Sequence, residues 1–127
     1  MFKQILTLII VLGILIFSGI WEINYLENSS KYLMGDIDNT INYINQEKFD
    51  MAKVANKNVI STWKNMKFVW NIFVNHERVD DLEEALVDIE SYIEFENKEE
   101  SISSANKSKR IINQIVEKQK FTPEHIL

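Results

Sequence analysis

The residues that carry most of the polar chemistry in this chain are His76, Glu77 and Asp80, in the stretch NHERVDD that runs from Asn75 to Asp81. On a helix His76 and Asp80 stand four residues apart and share a face, which resembles a metalloprotease H-E-x-x-H with its last ligand changed. A catalytic zinc needs three protein ligands, and the only other histidine, His125, falls in a predicted C-terminal tail. A corner between two helices accounts for more of these residues. Asn75 and His76 would close one helix, where an imidazole meets its last carbonyls, and Asp80 or Asp81 would cap and charge the start of the next. The stretch therefore reads as a helix corner made by Asn75, His76, Asp80 and Asp81, with no metal site, cofactor or catalytic set. The chain has no cysteine, which excludes thiolate and disulfide chemistry, and no nucleophile elbow. It reads as a non-enzyme.

Two other groups of residues are candidates for binding. Trp63 and Trp70, seven residues apart, could line an aromatic pocket, although at that spacing they also fit a helical core, and the core reading is favoured. Just upstream of the corner, MKFVWNIFV is apolar on nearly every side of a helix. One neighbouring helix cannot cover all of it, so it is either the centre of a bundle, the favoured reading, or a patch offered to another protein or to the membrane surface, with Phe68, Val69, Ile72 and Val74 as the contact residues.

These residues must be positioned by helices. Only 3 glycines and 1 proline occur in 127 residues, which leaves little turn chemistry and no glycine-rich phosphate loop. Leu26, Ser30, Leu33, Ile37, Ile41 and Ile44 recur at steps of three and four, so a first helix is predicted to run on to about Gln46. A second begins after NQEKFD and carries the most regular seam in the chain: Phe49, Ala52, Asn56, Val59, Trp63, Met66, Trp70 and Phe73. Asn56 is its one polar member; it either fixes register or reaches solvent, and solvent is the favoured reading. A third helix over about 79–97 turns Val79, Leu82, Leu86, Ile89 and Ile93 inward, and a fourth over about 99–117 uses Ile102, Ala105, Ile112 and Ile115. Short connections imply antiparallel neighbours. The predicted fold is all-α: an N-terminal transmembrane helix followed by an antiparallel bundle of about four helices, or stacked helical hairpins. No 34-residue self-similarity marks a TPR array.

The transmembrane part is predicted over residues 1–21, the bundle over 22–118 and a tail over 119–127. Residues 5–21 carry no charge, and as a helix they span roughly 26 Å, close to the ~30 Å of a bilayer's hydrocarbon core. A cleaved signal peptide would need a small-residue site after the apolar run; SGI at Ser18 to Ile20 puts isoleucine there, and Trp21 with Tyr25 suits an interfacial belt, so a retained anchor is favoured. Lys3 precedes the span and Glu22 and Glu27 follow it, which orients the N-terminus inside and the bulk of this single-pass membrane protein outside the cytoplasm.

Charge is arranged in blocks. Residues 77–100 hold 11 acidic and 2 basic side chains, whereas residues 48–76 hold five lysines and one aspartate, and residues 101–127 hold five basic and two acidic side chains. An acidic helix between two basic ones is self-complementary, so the charge needs no external partner. The net charge of the whole chain, -5, argues against nucleic-acid binding.

The short N-terminal span, NYLENSS at Asn24 to Ser30, the W-x6-W-x5-H-E-x-x-D arrangement from Trp63 to Asp80 and the closing EHIL resemble the small clostridial proteins of domain-of-unknown-function family 4363. The resemblance covers nearly the whole chain and carries no catalytic residues with it. It implies a small anchored helical protein of Gram-positive spore-formers, often encoded near a YetF-like membrane protein, with sporulation as a conceivable setting. The expected function is a membrane-anchored accessory or scaffold protein that binds an integral-membrane partner, and homo-oligomerisation is compatible with it. The alternative is an extracytoplasmic ligand-binding sensor.

Overall fold

The computed structural model describes residues 1–120. They form four α-helices and, among the described residues, no strand: α1 (Phe2–Asn45), α2 (Phe49–Phe73), α3 (His76–Glu94) and α4 (Lys98–Lys120). Of the tail predicted over residues 119–127, Gln119 and Lys120 belong to α4, and residues 121–127, with EHIL and His125, lie outside the described residues.

α1 has two characters along one uninterrupted helix of about 66 Å. From Phe2 to Ser18 every residue is exposed, and this part is long and apolar enough to cross a membrane. Beyond Trp21 the same helix becomes a wall of the bundle, burying Leu26, Ser30, Leu33, Ile37, Thr40 and Ile44. Gly35 does not interrupt it.

The helices close into a ring: α1 packs on α2 and α4, and α3 packs on the same two. The α1/α2 and α3/α4 turns lie at one end. At the other, Phe73 meets Trp21 edge-on at 5.8 Å and Lys120 of α4 pairs with Glu27 of α1, so the α2/α3 corner sits where the apolar half of α1 leaves the bundle. The core runs between these ends, with Trp63, Trp70, Leu33, Leu82, Leu86 and Ile112 among its largest buried side chains.

The two hairpins are alike at a constant offset of 49 residues. Buried Ser30, Leu33, Ile37, Thr40 and Ile44 of α1 correspond to buried Val79, Leu82, Leu86, Ile89 and Ile93 of α3. Likewise Ala52, Ala55, Asn56, Val59, Trp63 and Met66 of α2 correspond to Ser101, Ser104, Ala105, Ser108, Ile112 and Ile115 of α4. The turns correspond as well. In the first, the Lys48 amide donates to the Tyr43 carbonyl and that of Glu47 to Ile44; in the second, Asn97 donates to Tyr92 and Glu96 to Ile93, all at 2.9 Å. Each is a Schellman closure whose left-handed residue is a glutamate, Glu47 at φ 58° and Glu96 at φ 54°.

A side chain at such a φ costs on the order of 1 kcal/mol, which glycine avoids. Glu47→Gly and Glu96→Gly are each expected to raise the unfolding free energy by about 0.5–1 kcal/mol. Chemical denaturation of the two variants would show it; a lower midpoint in both would mean that the glutamate side chains make compensating interactions at the turns.

The antiparallel charge arrangement is present, with one redistribution. Lys53–Glu94 (2.7 Å) and Lys67–Glu83 (2.8 Å) join α2 to α3 as the blocks predict. Two lysines of α4 turn the other way: Lys109 pairs with Asp38 at 2.5 Å and Lys120 with Glu27, both on α1. Ring closure places α4 between α1 and α3, which gives its cations two acidic neighbours to choose from.

Candidate interaction surface

The apolar run upstream of the corner divides by helical phase. Phe68 and Ile72, four residues apart on the outward face of α2, are 75% and 61% exposed. Val69 is half-buried. Val74 faces inward at 6% exposure, because it is the extended residue that ends α2 (φ -110°, ψ 147°) and its side chain joins the core cluster. It therefore leaves the set of surface contacts, which narrows to Phe68 and Ile72 with the edge of Val69.

Trp63 and Trp70 are 1% and 0% exposed and meet edge-on at 5.7 Å. Both indole N–H groups are satisfied: Trp70 Nε1 donates to Ser29 Oγ at 3.0 Å, and Trp63 Nε1 to Glu83 Oε1 at 3.3 Å. Lys67 donates to both oxygens of the same carboxylate, at 2.8 and 2.9 Å. That ammonium, helped by the Trp63 N–H and opposed by partial desolvation, holds the Glu83 carboxyl below its ordinary range. Neither tryptophan lines the grooves that open between α2 and α3 at Asn56, between α1 and α2 at Tyr43 and Val54, or between α3 and α4 at Arg78 and Gln114.

The corner is where the sequence puts it, but its residues have other roles. α2 ends at Phe73, and Asn75 is the cap of α3, its Oδ1 accepting from the Glu77 amide at 2.9 Å. His76 is the first residue of α3 and does not close α2. Asp80 and Asp81 lie inside α3, where Asp80 is exposed and Asp81 approaches Arg78 at 3.5 Å. The third helix thus begins three residues earlier than its apolar periodicity indicates, since the first turn of a capped helix need not be buried. Among the described residues no group of three or more histidine, cysteine, aspartate or glutamate side chains is gathered for a metal ion.

Asn56 departs from expectation. It is 2% exposed, and its Oδ1 is a buried polar atom with no hydrogen-bond partner among the described residues. The sequence favours solvent for this side chain, but its place in the seam, between Ala52 and Val59, holds it inside. It lines a groove of about 230 Å³ between α2 and α3, together with Lys53, Lys57, Glu90, Ile93 and Glu94. Sequence reasoning did not find this groove, because it is built from two helices whose charges look like solvated faces when each is read alone.

A family comparison matches residues 20–126 to a domain of unknown function, DUF4363. The chain belongs to the DUF4363 family. Comparison with curated proteins and with solved structures returns no significant match to either. The DUF4363 region begins at Ile20, so it takes in the part of α1 that packs in the bundle and leaves aside the exposed apolar stretch before it.

Proposed function

We propose that this DUF4363 chain is a non-enzymatic, membrane-anchored accessory protein, with its bundle outside the cytoplasm and an integral-membrane protein as its partner. The observation that carries the reading is the unbroken α1. Its exposed apolar half would span the bilayer, and because the same helix continues as a wall of the bundle, no hinge separates anchor from bundle. Trp21, half-exposed and stacked on Tyr25 at 5.4 Å, lies where a belt at the membrane interface would be. A bundle held this way keeps one orientation on the membrane, as a partner contact in the bilayer plane requires.

Phe68 and Ile72 lie towards the same end of the bundle, and two large exposed apolar side chains one turn apart suit such a contact. The family resemblance points to a YetF-like protein as the first partner to test. Mild-detergent extraction is expected to bring down one membrane protein in stoichiometric amount, and the pair Phe68→Asp and Ile72→Asp to lose it while the bundle stays folded, since both sites face solvent. Recovery of a lone monomer from native membranes would count against the proposal. A sensor of small ligands is the second reading, and the groove at Asn56 is what favours it.

A further inference from the structure

The near-twofold relation between the hairpins supplies an internal control for the Asn56 groove. The α2/α3 seam that contains it corresponds, at the offset of 49, to the α1/α4 seam. There the positions of Lys53, Asn56 and Glu90 are taken by Ile102, Ala105 and Ile41. Ala105 is fully buried, and Ile41 and Ile102 pack against the core, so aliphatic side chains occupy these three positions. At these three positions the α2/α3 side carries charges in place of the isoleucines and an unpartnered amide in place of the alanine. A buried amide with an unmet acceptor is costly where an aliphatic side chain would fit, and the sister seam shows that one does fit.

What could meet these groups follows from their chemistry. Lys53 and Glu94 satisfy each other at 2.7 Å across one end of the groove. Lys57 and Glu90, also lining it, are exposed and make no ion pair among the described residues. The groove therefore offers a free cation, a free carboxylate and the apolar wall of Ile93, and against it lies the buried Asn56, whose amide oxygen has no partner. Its volume of about 230 Å³ matches a small metabolite and is below the roughly 300–1,000 Å³ typical of drug-sized ligands. We propose that the α2/α3 groove binds a free α-amino acid, whose carboxylate meets Lys57 and whose ammonium donates to Glu90 and, once the buried Asn56 amide turns towards the groove, to its Oδ1. The site lies near the Lys53–Glu94 end of the bundle, remote from Trp21, and goes beyond the accessory role without depending on it.

The test is thermal unfolding of the full-length chain in detergent micelles with each proteinogenic L-amino acid added singly at about 10 mM, where a Kd near 0.1 mM would raise Tm by about 5 °C or more. Glycine betaine at the same concentration carries both charges but no N–H, and is expected to leave Tm unchanged. Asn56→Ala, which copies the sister seam, should fold at least as stably as the parent and lose the shift. The pair Lys53→Ile and Glu90→Ile should close the groove, raise the starting Tm and be equally unresponsive. A parent that responds to no amino acid has a groove that holds water only, and the proposal falls. It falls too if betaine shifts Tm as far as the amino acid, or if both altered proteins respond as the parent does. Loss of partner co-purification would bear on the accessory role alone, so the two failures are distinguishable.

Discussion

Trp70→Ala is expected to cost about 3–5 kcal/mol, a large share of the roughly 5–15 kcal/mol that holds a domain of this size together. The indole is fully buried, packs edge-on against Trp63 and reaches across to α1. Its removal leaves no buried group stranded: Ser29 Oγ still donates to the Tyr25 carbonyl at 2.6 Å. The loss is therefore one of packing, and the void opens between α1 and α2 towards the Trp21 end of the bundle. Trp70→Phe keeps most of the ring and should cost much less. Phe68→Ala, two residues away on the opposite side of the same helix, should change stability by no more than about 0.5 kcal/mol, because its ring faces water in both states. Denaturant unfolding of the three variants separates core from surface along α2. A Trp70→Ala midpoint close to that of the parent would mean that the ring closure described above is not the packing that stabilises the protein.

Leu12→Lys with Ile16→Lys tests the other half of α1. Each lysine at the centre of a span costs about 2.5–3.5 kcal/mol of insertion free energy, so the pair should move the protein from the membrane pellet to the soluble fraction after carbonate washing. Leu12 and Ile16 are 49% and 57% exposed, and neither belongs to the core cluster. The bundle should accordingly unfold at the same denaturant concentration as in the parent. A parent protein found in the soluble fraction would sink the anchor, and a fall in bundle stability on substitution would show that the apolar half of α1 packs on the bundle rather than on lipid.

Much of the architecture is legible in local pattern. All five inward residues expected on α3 are buried, and on α2 the eight-residue seam is buried along its length, with only Phe49 and Phe73, at its ends, partly open. The helix over residues 26–44 continues from the apolar segment as its periodicity indicates, with Thr40 buried and Ile41 beside it half-buried. α4 was less legible. Ser101, Ser104 and Ser108 line its buried face, and serine reads as surface in a sequence. Inside, the Ser101 and Ser108 hydroxyls donate to backbone carbonyls one turn earlier, Asn97 and Ser104, so they enter the core with their hydrogen bonds met.

The corner shows the same division at the candidate site. A break near Asn75 follows from residue types alone, because an amide side chain suits a cap and the seam of α2 ends there. Whether Val74 faces in or out does not follow from them. Its extended backbone turns the side chain to the core, whereas Phe68 and Ile72 stay outside on the helix that precedes it.

By itself the sequence determined that the chain is helical, where the helices begin and end to within a few residues, which stripe of each is apolar, and that one uncharged stretch is long enough for a membrane. Only the tertiary structure decided that the four stripes close into a ring of two matching hairpins, that Lys109 and Lys120 of α4 pair with α1, and that Asn56 stands unpartnered between α2 and α3 where the sister seam has a buried alanine. The physical reason is range. Periodicity, capping and turn chemistry act between residues a few positions apart, so they can be read along the chain. Which neighbour covers a face, and whether it fills the space there, depends on side chains dozens of residues away that meet only when the ring closes.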